Sequence, residues 1–287
     1  MTSEHTTGLT GEVVDSLRGT ADPRLRELLT ALTRHLHAFV RETEPTMREW
    51  ERAIDFLTAT GQMCSDTRQE FILLSDVLGV SMLVETLNGH GDPATTESTV
   101  LGPFHLTESP VRELGANIDL VGGGEPCVVS GRVLSRDGTP LPGAVLDVWQ
   151  ADSRGYYDVQ QPGIQPAGNG RGLFTADAEG CFRFRSCVPS AYPIPTDGPV
   201  GELLKATDRH PYRPAHIHFI ASAAGHAPVT THIFVAGGEH LDSDAVFAVK
   251  QSLVKDFTQT DDPSLAQEFG VPNPFRHARF DLVLEPV

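Results

Sequence analysis

The 287-residue chain has no apolar run approaching the ~20 residues of a membrane helix, so no membrane insertion is expected. It also lacks positive charge. Its 22 Lys and Arg face 38 Asp and Glu, for a net charge of −16. That balance excludes a nucleic-acid partner, because phosphate neutralisation needs clustered cations. Cysteine is sparse. Cys64, Cys127, Cys181 and Cys187 form no CxxC pair and are too few for a disulfide scaffold, so free thiols are expected. The opening MTSEHTTGLTGEV carries no basic segment followed by an apolar one, which argues against a secretory signal and for a cytoplasmic location. There is no HExxH for zinc hydrolysis. Tyrosine is scarce too: there are four, all between Tyr156 and Tyr212. Seven of the twelve histidines lie beyond residue 209, which places the expected chemistry in the second half.

What is present divides by period. Asp22-Pro23 reads as an N-cap followed by a first-turn proline, and Leu25, Leu28, Leu29, Leu32, Leu36, Phe39 and Val40 follow at helical spacing. A second helix is expected from near Pro45, through Trp50, Ile54, Phe56 and Leu57. A third is expected from near Asp66, with Gln69 in capping-box position, through Phe71 to Leu87, and Asn88-Gly89 ends it. The apolar surface left over suits either packing on the rest of the chain or a subunit interface. Gly89 to Pro103 reads as a linker. Beyond it, Val128–Leu134, Ala144–Trp149, Gly180–Ser186, Ala215–Ala221, Thr230–Val235 and Arg279–Leu284 read as short strands between turn sequences. Such a series predicts an antiparallel sandwich or barrel. One helix, Asp244 to Val254, is expected to interrupt it. The GNGRG of the Gly163–Gly172 loop lacks a strand-turn-helix context and is not read as a phosphate cradle.

The sharpest local signal is Arg213-Pro214-Ala215-His216-Ile217-His218-Phe219. Residues two apart in a strand share a face, so His216 and His218 can aim at one point while Ile217 and Phe219 face apolar packing. The pair suits a metal, or simply a polar face. Asp147, Asp152, Asp158 and Asp197 could complete an iron(II) or zinc site. The clustered tyrosines offer another completion. A free phenol, with a pKa near ~10, is a poor ligand at neutral pH, but a small, highly charged cation can deprotonate it, and Fe(III) suits phenolate oxygen. A tyrosine buried only for packing, with its hydroxyl bonded, is the rival for each.

These motifs together resemble the intradiol ring-cleavage dioxygenases over nearly the whole chain. The resemblance rests on Gly102-Pro103-Phe104, on Gly143 to Asp152 followed by Gly155-Tyr156-Tyr157, and on Arg171-Gly172. It rests also on Val188-Pro189-Ser190-Ala191-Tyr192-Pro193, Asp197-Gly198-Pro199 and the RPAHIHF segment. It implies an α+β protein: a helical N-terminal dimerisation and linker region, residues 1–103, on an antiparallel β-sandwich, residues 104–287, carrying a mononuclear iron site. It implies one Fe(III) per subunit, held by Tyr157, Tyr192, His216 and His218. Tyr156 is the weaker rival to Tyr157, and Tyr212 is expected to be local packing. It implies a homodimer through the helices, with a lipid permitted at that interface. The substrates implied are a small aromatic diol or triol and O₂. Tyr192 would be both ligand and base, and Arg213 would stabilise charge on the substrate ring, with a strand-edge salt bridge as the plainer reading of that arginine.

Within the family, Thr230 to Phe234, Leu73-Leu74-Ser75-Asp76 and Glu97 to Phe104 look like the hydroxyquinol (benzene-1,2,4-triol) branch. Its product would be 3-hydroxy-cis,cis-muconate, which tautomerises to maleylacetate. Asp76 could accept a hydrogen bond from the third hydroxyl, or be a solvated helix residue. His232 is a candidate substrate contact. Leu73 and Val100 fit as pocket walls or as core. The alternatives are a catechol or chlorocatechol dioxygenase and a metal- or ligand-binding β-sandwich module without catalysis.

Overall fold

The computed structural model describes residues 2–65, 68–89 and 93–287 and divides into two compact units, Met1–Ala59 and Thr60–Val287. Helix α1 (Thr2–Ser16), which the sequence reading did not place, precedes α2 (Pro23–Thr43) and α3 (Met47–Gln62). Asp22 caps α2 as expected, its carboxylate accepting from the Arg24 and Leu25 backbone N–H groups. Thr10 Oγ1 of α1 meets His37 Nδ1 of α2 at 3.0 Å.

The expected third helix is two: α4 (Glu70–Val77) and α5 (Val80–Asn88). Gly79, at φ +71°, breaks the run with a backbone conformation that side chains resist. Asp66 lies outside the described residues, and α4 begins at Glu70 with Gln69 at its N-cap. The expected linker carries no regular element from residue 93 to 103, but it is no solvent tether. Thr99 and Val100 are buried, and the Thr99 N–H donates to the Thr230 carbonyl. His90, Gly91 and Asp92 of that stretch lie outside the described residues.

The strands are β1 (Pro126–Ser135), β2 (Val145–Trp149), β3 (Arg171–Thr175), β4 (Cys181–Cys187) and β5 (Tyr192–Pro193). After α6 (Pro199–Ala206) come β6 (Tyr212–Arg213), β7 (His216–Ser222), β8 (Val229–Val235), β9 (Val254–Lys255) and β10 (Phe257–Thr260). After α7 (Pro263–Phe269) come β11 (Phe275–Arg279) and β12 (Leu282–Leu284). One sheet runs β10-β11-β1-β12, with β4 also on β1; the other runs β3-β2-β7-β8-β9; β5 and β6 form a ribbon. Most pairs are antiparallel, as expected, but β1 runs parallel to both β11 and β12, and β8 parallel to β9. The expected Arg279–Leu284 strand is split at Phe280. Its carbonyl presses so close to Gly131 that a β-carbon there would stand 1.9 Å away.

Apolar faces of the two sheets meet in the core. The Phe182 and Phe184 rings of β4 each lie 6.2 Å from Phe219 of β7, and Leu146, Val148, Ile217 and Phe219 line one cluster. Strand alternation then puts Trp149, His216 and His218 on the opposite face of the second sheet. The expected Asp244–Val254 helix is absent: only Gln251–Leu253 makes a 3-10 turn. Asp244 instead draws the chain into a turn, accepting from the Val246 and Ala248 N–H groups around Phe247 at φ +59°.

Candidate metal centre

Register assembles the site. Trp149 of β2 is opposite Arg171 of β3 and His218 of β7, and His218 is opposite His232 of β8. Arg171, Trp149, His218 and His232 thus form one row across four strands. The Trp149 and His218 rings stack, with centroids 4.5 Å apart and planes 11° from parallel. His216 begins β7 after the β6 ribbon, in which Tyr192 pairs with Arg213. Tyr157 enters just before the turn Asp158–Gln160, its ring stacked on Phe104 at 4.5 Å.

Four donor atoms converge. His216 Nε2 and His218 Nε2 are 3.1 Å apart, His218 Nε2 is 3.1 Å from Tyr157 OH, and Tyr157 OH donates to Tyr192 OH at 3.3 Å. All four side chains are at most 2% exposed. His216 Nδ1 bonds the Pro214 carbonyl at 2.7 Å, which places the proton there and leaves the Nε2 lone pair facing its neighbour. Ligands ~2.0–2.1 Å from a common cation and 90–110° apart would stand ~2.9–3.4 Å from one another, so the cluster has the spacing of a coordination shell. Burial, first of all, holds His216, His218 and His232 well below their ordinary pKa. Arg213 adds to the effect at all three, and neighbouring imidazoles add to it at His218 and His232, so the neutral form is favoured at each. Burial, reinforced by Tyr192, raises Tyr157 well above a free phenol. A multiply charged cation among these atoms would reverse that bias.

Among the described residues, His216, His218 and His232 are the one group of three or more His, Cys, Asp or Glu residues with ligand atoms close enough to share a metal, all within 4.8 Å. No carboxylate joins them. Asp147 meets His105, Asp152 meets Arg154, Asp158 meets Arg171 and Asp197 meets Arg68. The iron(II) or zinc alternative built on HxH and a carboxylate therefore has no carboxylate in place. Tyr156 is exposed, and Tyr212 is half-exposed and stacks on His240.

Arg213 is buried, with Nη1 3.2 Å from His216 Nε2 and Nε 3.2 Å from Asp244 Oδ1. Burial opposes its charge, but Asp244 and the two tyrosines outweigh that, and its pKa is raised. Asp76 is buried rather than solvated. Burial raises its pKa, while Ser81 and Arg213 pull it down. Leu73 and Val100 lie in the main apolar cluster, with Met82 and Ile194. His232 is fully buried. Its Nδ1 bonds Thr99 Oγ1, and among the described residues its Nε2 has no partner. Thr99, Asp244 and the Trp149 stack were not singled out from sequence. A buried partner for Arg213 was predictable in kind, since a lone buried cation is costly, but not in position.

Two family models match: "Catechol dioxygenase N terminus" over residues 22–96 and "Dioxygenase" over 102–286. The hydroxyquinol 1,2-dioxygenase of Rhizobium sp. (strain MTP-10005) is 52% identical over 91% of this chain and 88% of its own length. The 6-chlorohydroxyquinol 1,2-dioxygenase of Cupriavidus pinatubonensis is 51% identical over 93% and 96%. A solved hydroxyquinol 1,2-dioxygenase from Pseudomonas putida DLL-E4 superposes with a TM-score of 0.92 at 46% identity, covering 99% of this chain and all of that one. The chain belongs to the intradiol ring-cleavage dioxygenase family, a class of non-haem iron enzymes. Among the described residues, no helix is long and apolar enough to cross a membrane.

Proposed function

We propose that the chain is a hydroxyquinol 1,2-dioxygenase that binds one Fe(III) per subunit through Tyr157, Tyr192, His216 and His218. The observation that carries the ligand set is the run of four buried donor atoms at 3.1–3.3 Å spacing. When bound, Fe(III) supplies Lewis acidity that favours the phenolate forms of ligand and substrate and opens a chelated diol to O₂. Tyr192, in its phenolate form, would take one substrate hydroxyl proton at its oxygen. Arg213, anchored through Nε, directs its other nitrogens at charge developing on the substrate ring. Trp149 and Phe104 wall the site with apolar surface that excludes water. Asp76 accepts the third hydroxyl of a triol, His232 contacts the ring through Nε2, and Leu73 and Val100 form its apolar walls.

Support for hydroxyquinol comes from the relatives named above and from the chemistry of Asp76. An apolar ring edge would leave Ser81 as the side-chain hydrogen-bond partner of that buried carboxylate, with its further acceptor capacity unused. Residues 1–103 are read as the helical dimerisation and linker region, and residues 104–287 as the catalytic sandwich. The homodimer is supported by α2, none of whose residues is buried and whose Leu25, Leu28, Leu32, Leu36 and Phe39 are exposed. A lipid would suit the same surface. A cytoplasmic location fits four free cysteines.

The purified, iron-loaded protein should be burgundy from tyrosinate-to-Fe(III) charge transfer and should cleave hydroxyquinol faster than catechol. A colourless iron-replete protein would defeat the ligand set. A coloured one that preferred catechol or a chlorocatechol would defeat the substrate.

A further inference from the structure

We propose that Asp244 is the positioning residue that sets Arg213 at the metal site. The inference rests on the reading of Arg213 as the group facing the substrate ring. Asp244 is itself buried and is fixed at both oxygens. Oδ1 accepts from Arg213 Nε at 3.2 Å and from the Val246 N–H at 3.2 Å, and Oδ2 accepts from the Ala248 N–H at 3.0 Å. The carboxylate is therefore held by its own turn before it meets the arginine. The turn exists at the cost of an unfavourable backbone at Phe247, φ +59°. A rigid acceptor on Nε leaves the terminal nitrogens of the fork for the site. Nη1 stands 3.2 Å from His216 Nε2, which places it beside the proposed iron position rather than in a lasting bond, and among the described residues Nη2 has no partner.

The β6 ribbon alone cannot fix this. Arg213 lies next to Pro214 in a two-residue strand, so its backbone is set, but a long side chain retains several torsions that only an end-on partner removes. A buried guanidinium also needs a counter-charge, and Asp244 is its only ion-pair partner among the described residues. Asp76 lies within electrostatic range of both, and its pKa is lowered by Arg213 and raised by Asp244. Loss of Asp244 would leave Arg213 free to turn toward Asp76 and away from His216.

The test is a double-mutant cycle on the iron-loaded enzyme, with whichever diol it turns over, for Asp244→Asn, Arg213→Leu and the pair. Asp244→Asn should lower kcat roughly 100-fold, the scale of a misplaced catalytic group, with KM moved less than about threefold. The tyrosinate absorption band should stay, because no ligand is altered. In the Arg213→Leu background the same change should cost less than about twofold, since residues that act as a unit are not additive. Effects that multiply in the double variant, or a kcat in Asp244→Asn near wild type, overturn the proposal. Asp244→Glu serves if the amide variant does not fold. It keeps the charge but displaces the fork by one methylene, so it should recover the unfolding temperature without recovering kcat; recovery of both overturns the proposal. Normal turnover in Arg213→Leu alone would remove the role of Arg213, and this inference with it, whereas loss of colour in the wild type would indict the ligand set instead.

Discussion

Trp149 lies face to face with His218, ring centroids 4.5 Å apart and planes 11° from parallel, because the two residues are directly opposite in the β2–β7 register. Among the described residues, His218 Nδ1 has no hydrogen-bond partner. The imidazole plane is therefore held by stacking, not by the usual second bond on the far nitrogen. Trp149→Leu should weaken metal affinity about 10- to 100-fold, as loss of an outer partner does. Iron retained per subunit after dialysis against a graded chelator measures it, and unchanged retention would show that the stack orients nothing.

The role proposed for Asp76 is to separate triol from diol. It is buried, and its pKa is raised chiefly by that burial. A hydroxyl-bonding site discriminates because the analogue lacking that hydroxyl leaves part of a buried acceptor's capacity unused, here only partly met by Ser81. Asp76→Ala should lower kcat/KM for hydroxyquinol about 10- to 100-fold and leave catechol equal or improved. Parallel losses on both substrates would return Asp76 to a structural role.

Much of this was legible in sequence, and the losses have physical causes. The HxH pair and the strand series follow from local period, whereas the choice of Tyr157 and Tyr192 rests on the family resemblance, because nothing local separates a ligand tyrosine from a packed one. The apolar residues Val246, Phe247, Val249, Leu253 and Val254 predict a helix opening at Asp244, which the structure does not form. A buried guanidinium thirty-one residues upstream claimed the carboxylate and turned the chain. The α4–α5 break was missed because Gly79 sits inside a continuous apolar pattern. The parallel pairing of β1 with β11 and β12 is a long-range choice that no local period encodes. Thr99 was hidden in a stretch whose composition reads as linker.

The metal-free protein should lose stability in mild acid. His216, His218 and His232 all have folded pKa values well below the ordinary 6.5. The unfolded chain therefore binds protons that the folded one refuses, and stability falls as pH drops below ~6.5 toward the depressed values. Each histidine contributes up to about 1.4 kcal/mol per pH unit in that window. Thermal unfolding of the chelator-treated protein from pH 7.5 to 5.5 should show the fall. Iron-loaded protein should unfold at higher temperature, because a ligand of the native state alone stabilises it.

The apolar face of α2 makes an assembly prediction. Leu32 and Leu36 lie one turn apart, each more than half exposed. Placing Glu at both should turn a sedimenting dimer into monomer, since two buried carboxylates without partners oppose association. A dimer of unchanged stability would locate the interface elsewhere.

Gly131 tests the junction that splits β11 from β12. A β-carbon there would stand 1.9 Å from the Phe280 oxygen and 3.1 Å from the Phe182 ring, and the first of these is backbone that cannot rotate away. Gly131→Ala must push the β11–β12 turn off β1. That would disturb the Phe280 N–H bond to the Ser130 carbonyl and the parallel register on either side. Overpacking of this kind costs about 1–3 kcal/mol or more. Gly11→Ala is the matched control, because it lies within α1 with nothing near the new methyl. It should be neutral or stabilising by up to about 1 kcal/mol. Denaturant midpoints should thus separate the two variants, with only Gly131→Ala falling below wild type. Equal midpoints would mean that the sheet absorbs a methyl at its most crowded glycine.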